Sequence, residues 1–264
     1  MIWRTLEDPE RGCLSYVVGD EVSGEVLAVD PLLSVGPEAY ALAAHEAGGR
    51  IVRVVETHVH ADHASAGRAL ADGLGVPLAL SCRAEAAYPF DPAQDGERWR
   101  LGDVEILVWE TPGHTPDALT LVVTDHRRGP LPWAALTGDC LFVGDVGRPD
   151  LVDPDHDLIR SAAEAEYTSV ARLASLPDFT EVHPAHYGAS PCGGLLMDRK
   201  AQSTIGYERR YNRLMTAPSR EAFVDLLLRL LKPAPPDAAT LRARNLGWPE
   251  PDSTAQGPRC TAAR

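Results

Sequence analysis

The sequence predicts an α+β fold: two mixed sheets face to face with helices outside, an αββα sandwich. Three observations carry this expectation. Short β-branched runs open the chain and then alternate with segments of helical period. This strand-then-helix pattern occurs twice. Each chemically distinctive motif falls just after a strand, where loops on a rigid scaffold carry function. A chain of 264 residues can bury most of its apolar surface in one large domain without disulfides.

Taken in order, Cys13–Val18 and Gly24–Val29 read as strands separated by the turn-forming Gly19-Asp20, and Asp30-Pro31 ends the second. Glu38–Glu46 reads as a helix stopped by Gly48-Gly49. The β-branched run Ile51–Glu56 feeds a histidine-rich loop, and Ala64–Leu74 continues as a helix. A short strand, Leu78–Cys82, follows Pro77, and three more follow at Val104–Glu110, Leu119–Val123 and Trp133–Thr137. Asp155–Ala174 is a long helical stretch, and Glu181-Val182 leads into a second histidine cluster. Residues 1–195 form the sandwich in this reading, and residues 196–264 a helical extension packed on the same domain. Within the extension, Glu221–Leu231 has apolar residues at helical spacing and is expected to cover the sandwich. Lys232–Pro236 is a rigid break, and the small, polar Ser253–Arg264 is expected to fray.

The formal charge of −13 argues against nucleic-acid binding, which depends on neutralising phosphates with Lys and Arg. It leaves room for a small anion held by one or two local arginines. The five cysteines, Cys13, Cys82, Cys140, Cys192 and Cys260, form no C-x-x-C pair, so mostly buried structural thiols are expected, Cys140 and Cys192 among them. No apolar run approaches the roughly 20 residues of a membrane span. The first residues run directly into Glu7, Asp8 and Glu10 without a signal-peptide pattern, so no membrane association and a cytoplasmic location are expected.

The chemistry concentrates in Thr57-His58-Val59-His60-Ala61-Asp62-His63. Alternate residues of an extended segment point the same way, so His58 and His60 can address one ion. Asp62 and His63 can address a second position. Imidazole and carboxylate donors suit zinc, iron or manganese. Three more candidates stand at strand ends: His114 in Thr111–Thr115, Asp139 in Thr137-Gly138-Asp139, and His186 in His183–His186. A single carboxylate at Asp139 can bridge two metals.

In this order and spacing the motifs resemble the metallo-β-lactamase superfamily, from about Asp30 to His186, with every ligand of its signature present. The resemblance implies one metal position at His58, His60 and His114 and another at Asp62, His63 and His186, with Asp139 between them and Asp30 supporting the loop. Within the superfamily, THVHADH, TPGHT, TGDCLFVGDVGR and the segment Ser203–Arg210 are similar to persulfide dioxygenases, the enzymes related to the ethylmalonic-encephalopathy protein. That likeness implies one Fe(II) per chain on His58, His114 and Asp139, with His60, Asp62, His63 and His186 orienting ligands and waters. It further implies a thiol persulfide and O2 as substrates, and carrier contacts at Arg148 and Tyr187. Here Tyr187 directly follows His186, whereas many relatives have one more residue between them. A homodimer or tetramer is expected, and any rhodanese-type sulfurtransferase partner is expected to be a separate chain. The alternative is a glyoxalase II type thioester hydrolase with two Zn(II) per chain, because its seven ligands are present as well. A metal-binding scaffold without turnover is the non-enzymatic alternative, and the complete ligand set argues against it.

Overall fold

A computed structural model describes residues 1–188 and 190–249; the segment Ser253–Arg264 lies outside the described residues. The first half of the chain builds one six-stranded sheet, in the order β1 (Ile2–Asp8), β2 (Cys13–Gly19), β3 (Glu25–Val29), β4 (Arg50–Val55), β5 (Leu78–Ser81) and β6 (Asp91–Ala93). The second half repeats the plan with β7 (Arg98–Leu101), β8 (Val104–Glu110), β9 (Leu119–Asp125), β10 (Ala134–Gly138), β11 (Glu181–Pro184) and β12 (Ser203–Thr204), again side by side in chain order. Hairpin pairing is antiparallel from β1 to β3 and from β7 to β10. Parallel pairing begins where a helix intervenes, at β3 with β4 and at β10 with β11. Among the described residues, six helices complete the fold: α1 (Pro37–Glu46), α2 (Gly67–Leu74), α3 (His156–Leu173), α4 (Ile205–Tyr211), α5 (Arg220–Arg229) and α6 (Ala238–Leu246).

Alternation of side chains explains the layers. Tyr16, Val18, Leu27 and Val29 turn inward and meet Val104, Ile106, Val108, Leu119 and Leu121 of the other sheet. Their neighbours Val17, Val26 and Ala28 turn outward against Tyr40 and Ala44 of α1 and Leu70 and Ala71 of α2. On the far side, Val122 and Ala135 pack beneath Val170 and Leu173 of α3 and Phe223, Val224 and Leu227 of α5. A strand buried on both faces shows no hydrophobic alternation, and every residue of β2 and β9 is buried.

The helix boundaries follow local chemistry. Pro37 opens α1, where its fixed φ and missing N–H cost nothing. The Asp155 carboxylate caps α3 by accepting from Asp157 N and Leu158 N. The predicted helix 221–231 is α5, Arg220–Arg229, against α3. Strands β1, β6, β7 and β12 and helices α4 and α6 are additions to the sequence reading. In β1 only Ile2 is buried, while Arg4, Thr5 and Glu7 are exposed, so an edge strand at the rim leaves little periodic signal. Among the described residues, no helix is long and apolar enough to cross a membrane.

The two sheets are stitched at the end where the motifs lie. Leu119 N donates to Thr57 O at 2.7 Å, and Leu14 N donates to Ala185 O at 2.7 Å. These bonds join the chain after β4 to β9, and β2 to the segment after β11.

Candidate metal centre

Strand ends and the turns after them deliver each candidate ligand. His58, His60, Asp62 and His63 follow β4, His114 lies between β8 and β9, Asp139 follows β10, and His186 follows β11. All seven are buried. Two glycines allow His114 its position. A Cβ on Gly113, at φ 152°, would meet Glu166 Oε2 at 2.1 Å, and one on Gly147 would meet Asp139 O at 2.1 Å. The same Glu166 carboxyl accepts from His114 N at 2.8 Å.

Three of the seven converge. His58 Nε2 and His114 Nε2 lie 3.5 and 3.4 Å from Asp139 Oδ2, and none of these three buried atoms has a hydrogen-bond partner. Ligand atoms about 2.1 Å from one ion stand about 3.0 Å apart at a right angle and about 3.4 Å apart at the tetrahedral angle. The spacing therefore fits a single ion. The rear atom of each ligand explains why its front atom is free. His58 Nδ1 lies 3.0 Å from Thr57 Oγ1, whose own proton goes to Asp30 Oδ2 at 2.8 Å, so Nδ1 carries the imidazole proton. His114 Nδ1 donates to Arg148 O at 2.8 Å. Both rings thus present an Nε2 lone pair, the tautomer that a metal requires. Burial, the largest influence, pulls both imidazoles below the usual histidine range, so they are neutral. Burial would raise Asp139, but the charge of His186 and the hydrogen bond from it outweigh burial and hold the carboxyl below its usual range.

His60 stands apart from this triad and clusters with Asp30 and Glu56. Its Nε2 lies 3.2 Å from Asp30 Oδ1 and 3.1 Å from Glu56 Oε2, while Nδ1 is unpaired. Burial opposes charge on this ring, yet hydrogen bonds to the two carboxylates outweigh it and favour the imidazolium. Asp30 has φ 51° and grips the loop: Oδ1 accepts from Thr57 N at 2.6 Å. Left-handed backbone at a non-glycine residue is a cost that a functional loop can justify.

Asp62, His63 and His186 form a second cluster, joined by Cys13, which sequence reasoning missed. His63 Nδ1 lies 3.0 Å from Asp62 Oδ1, and the Cys13 thiol lies 3.9 Å from both Asp62 Oδ2 and His63 Nδ1. His186 Nδ1 donates to Asp139 Oδ1 at 2.6 Å. Its Nε2 is 2.8 Å from Asp62 Oδ2, an ion-pair distance without hydrogen-bond alignment, so Nε2 counts with His63 Nε2 as an unpaired nitrogen. The donor chemistry of both clusters, imidazole and carboxylate with one thiol added, suits a divalent transition metal.

Other missed contributors come from far along the chain. Asn245 of α6 donates from Nδ2 to His60 O at 2.9 Å and His63 O at 2.8 Å, and its Oδ1 accepts from Ser65 N at 3.1 Å. Arg242 donates to Val59 O at 3.0 Å and pairs with Asp117, which in turn accepts from Val59 N at 2.6 Å. Helix α6 is thus a clamp on the histidine-rich loop. Neither contact has a local motif; an amide or guanidinium on a late amphipathic helix was the only signal.

The structure corrects the expectation for Arg148. Its side chain is buried, and all five N–H donors are spent: two on Asp150 (2.7 and 2.8 Å), two on Pro191 O and Pro233 O, and one on Lys232 O. A guanidinium committed in this way braces the loop after β10 against the segment after α5 and has no donor left for a ligand. Tyr187 lines a surface cleft with Asp62, and its hydroxyl donates to Glu7 Oε2 at 3.2 Å.

Comparison with known proteins agrees with this architecture. Residues 8–186 match the family described as the metallo-beta-lactamase superfamily. Human mitochondrial persulfide dioxygenase ETHE1 is 30% identical over 236 residues, covering 89% of this chain and 84% of that protein. The crystal structure of ETHE1 from Myxococcus xanthus superposes with a TM-score of 0.77 at 29% identity, covering 94% of this chain and 99% of the other. A metallo-beta-lactamase from Staphylococcus aureus superposes with a TM-score of 0.86 at 27% identity, covering 100% of this chain and 78% of the other. The family match runs through both sheets and ends on the last of the buried ligand candidates, and on that ground the chain belongs to the metallo-beta-lactamase superfamily.

Proposed function

We propose that the chain is a persulfide dioxygenase, oxidising the terminal sulfur of a low-molecular-weight thiol persulfide to sulfite at one ferrous ion. Two oxygen atoms come from O2 and one from water, and cleavage of the S–S bond returns the free thiol. The observation that carries this reading is the convergence of the unpaired His58 Nε2, His114 Nε2 and Asp139 Oδ2, a two-histidine, one-carboxylate set. Ferrous iron held there supplies open coordination positions for sulfur and dioxygen chemistry.

The remaining chemistry belongs to the chain. Thr57 and Arg148 O orient the two imidazoles. The Asp139 carboxylate divides its oxygens, Oδ2 toward the triad and Oδ1 to the His186 N–H, which supports one metal ligand rather than a bridge. His60 Nε2 is held between Asp30 and Glu56, which anchors the histidine-rich loop beside the site. The names of the human and Myxococcus relatives support the same activity.

One observation favours the alternative, a thioester hydrolase with two zinc ions: His63 Nε2 and His186 Nε2 are unpaired beside Asp62. Anaerobic reconstitution decides between them. One Fe(II) per chain should give persulfide-dependent oxygen uptake with sulfite as product. Full thioesterase activity with two zinc ions and no oxygen uptake in the iron form would overturn the proposal.

A further inference from the structure

We infer that Arg11 and Arg199 form the anion anchor for the carrier thiol, the role that Arg148 cannot fill; this inference rests on the dioxygenase reading. A cleft of about 470 Å³ opens above Asp62, with Arg11, Gly12, Tyr187, Gly188, Pro191 and Arg199 among its walls. That volume suits a small organic ligand. Its floor touches the metal centre, because Asp62 is 2.8 Å from His186, which bonds Asp139.

Backbone pairing places the two arginines. Tyr187 N donates to Gly12 O at 2.9 Å, and Gly188 N donates to Asp198 O at 2.8 Å. The segments bearing Arg11 and Arg199 therefore lie on either side of Tyr187-Gly188. Arg11 is steadied by one bond from Nη1 to Asp62 O at 3.2 Å, which leaves its other donors available. Arg199 is exposed, with its stem beside Gly188.

Charge balance gives the pair a setting. Acidic residues outnumber Lys and Arg by 38 to 25, and several surface arginines are claimed by carboxylates, as in Arg83–Glu110, Arg172–Asp95 and Arg209–Asp178. Among the described residues, neither Arg11 nor Arg199 is ion-paired. Two free guanidinium groups facing one cleft on an acidic protein match a ligand with acidic groups, because the planar fork grips carboxylate and phosphate alike. Glu10 on the same rim repels an anion placed near it, so the arginines set where the acidic group sits.

The test compares wild type with the double variant R11Q/R199Q on three persulfides: glutathione, which carries carboxylates; coenzyme A, which carries phosphates; and glutathione diethyl ester, whose carboxylates are masked. For the preferred acidic carrier, kcat/KM should fall about ten- to a hundred-fold, mainly through KM. Preference for the acidic carrier over the ester should collapse, with iron content and melting temperature retained. Which acidic carrier loses more identifies carboxylate or phosphate as the ligand. An unchanged preference in the intact variant would overturn the inference. Calorimetric binding of the S-methyl forms of the same carriers is the second measurement. It tests the arginine pair even if wild type shows no oxygen uptake with any persulfide, a result that would count against the dioxygenase reading alone.

Discussion

The triad and the second cluster are built from the same residue types, at the same end of the sandwich and equally buried, yet they differ in where the spare atoms go. Each triad ligand has its rear atom satisfied by an outside group: Thr57 Oγ1 for His58, Arg148 O for His114, and the His186 N–H for Asp139. Their front atoms are consequently free and mutually close. In the second cluster Asp62 spends both oxygens on other members, Oδ1 on His63 Nδ1 and Oδ2 on the Cys13 thiol, so only two nitrogens, His63 Nε2 and His186 Nε2, stay unpaired and no carboxylate oxygen is free beside them. A motif counts potential donors. The neighbours decide which lone pairs remain for a metal.

Paired substitutions break or sharpen this contrast most directly. Asp139→Ala removes one of three ligands and should abolish both iron binding and oxygen uptake. Asp62→Ala touches only the second cluster and should keep iron at one per chain, while turnover falls about ten- to a hundred-fold, as expected for a group that orients ligands. Metal analysis beside oxygen-uptake kinetics checks both. A metal content that drops from two to one in Asp62→Ala would mean that the second cluster is itself a ligand set, and the distinction would fail.

The next effect is on stability, and it acts on the triad side. The Arg148 carbonyl orients His114 while its guanidinium holds Asp150 and three carbonyls. Arg148→Ala leaves Asp150, itself 13% exposed at its side chain, without its partner. Loss of one member of a buried pair costs about 3–5 kcal/mol, so chemical denaturation should show a large drop, with little change in KM for the persulfide. A raised KM in a variant of unchanged stability would return Arg148 to the carrier-binding role that its sequence position suggests.

Arg148 also marks where sequence reading stops. The seven candidate ligands were legible because each sits in a short motif immediately after a strand, and strand ends on one side of a parallel pair are neighbours by construction. The sandwich was legible for the same reason, in the β-branched runs and the helix between them. Cys13, Glu56, Arg242 and Asn245 were not. Cys13 lies 49 residues from Asp62, and Asn245 lies 182 from His63, so only the closed fold reveals that they meet. Arg148 failed differently: spacing placed it near the site, but the partners that claim it, around Pro191 and Pro233, are 43 and 85 residues away. Strand β1 escaped notice because its residues are mostly exposed or half-buried.

The smallest expected effect lies on the other side of the comparison, in the clamp on the later part of the histidine-rich loop, which carries Asp62 and His63 of the second cluster. Asn245 bonds His60 O, His63 O and Ser65 N at once, so it fixes the backbone of Asp62 and His63 without touching their side chains. The site is only partly buried, and water can replace some of these bonds. Asn245→Ala should therefore cost about 1–2 kcal/mol, less than three full hydrogen bonds. Hydrogen exchange should speed up in residues 58–65 and stay unchanged at Asp139, whose position depends on β10. Iron content should hold, because the triad keeps its own supports, while turnover should fall less than Asp62→Ala makes it fall. Asn245→Asp keeps the acceptor for Ser65 N but loses both donors, so it should restore little of the protection at His60 and His63. Iron loss in Asn245→Ala, at retained stability, would mean that the clamp holds the triad as well, and the two regions would have to be treated as one cooperative site.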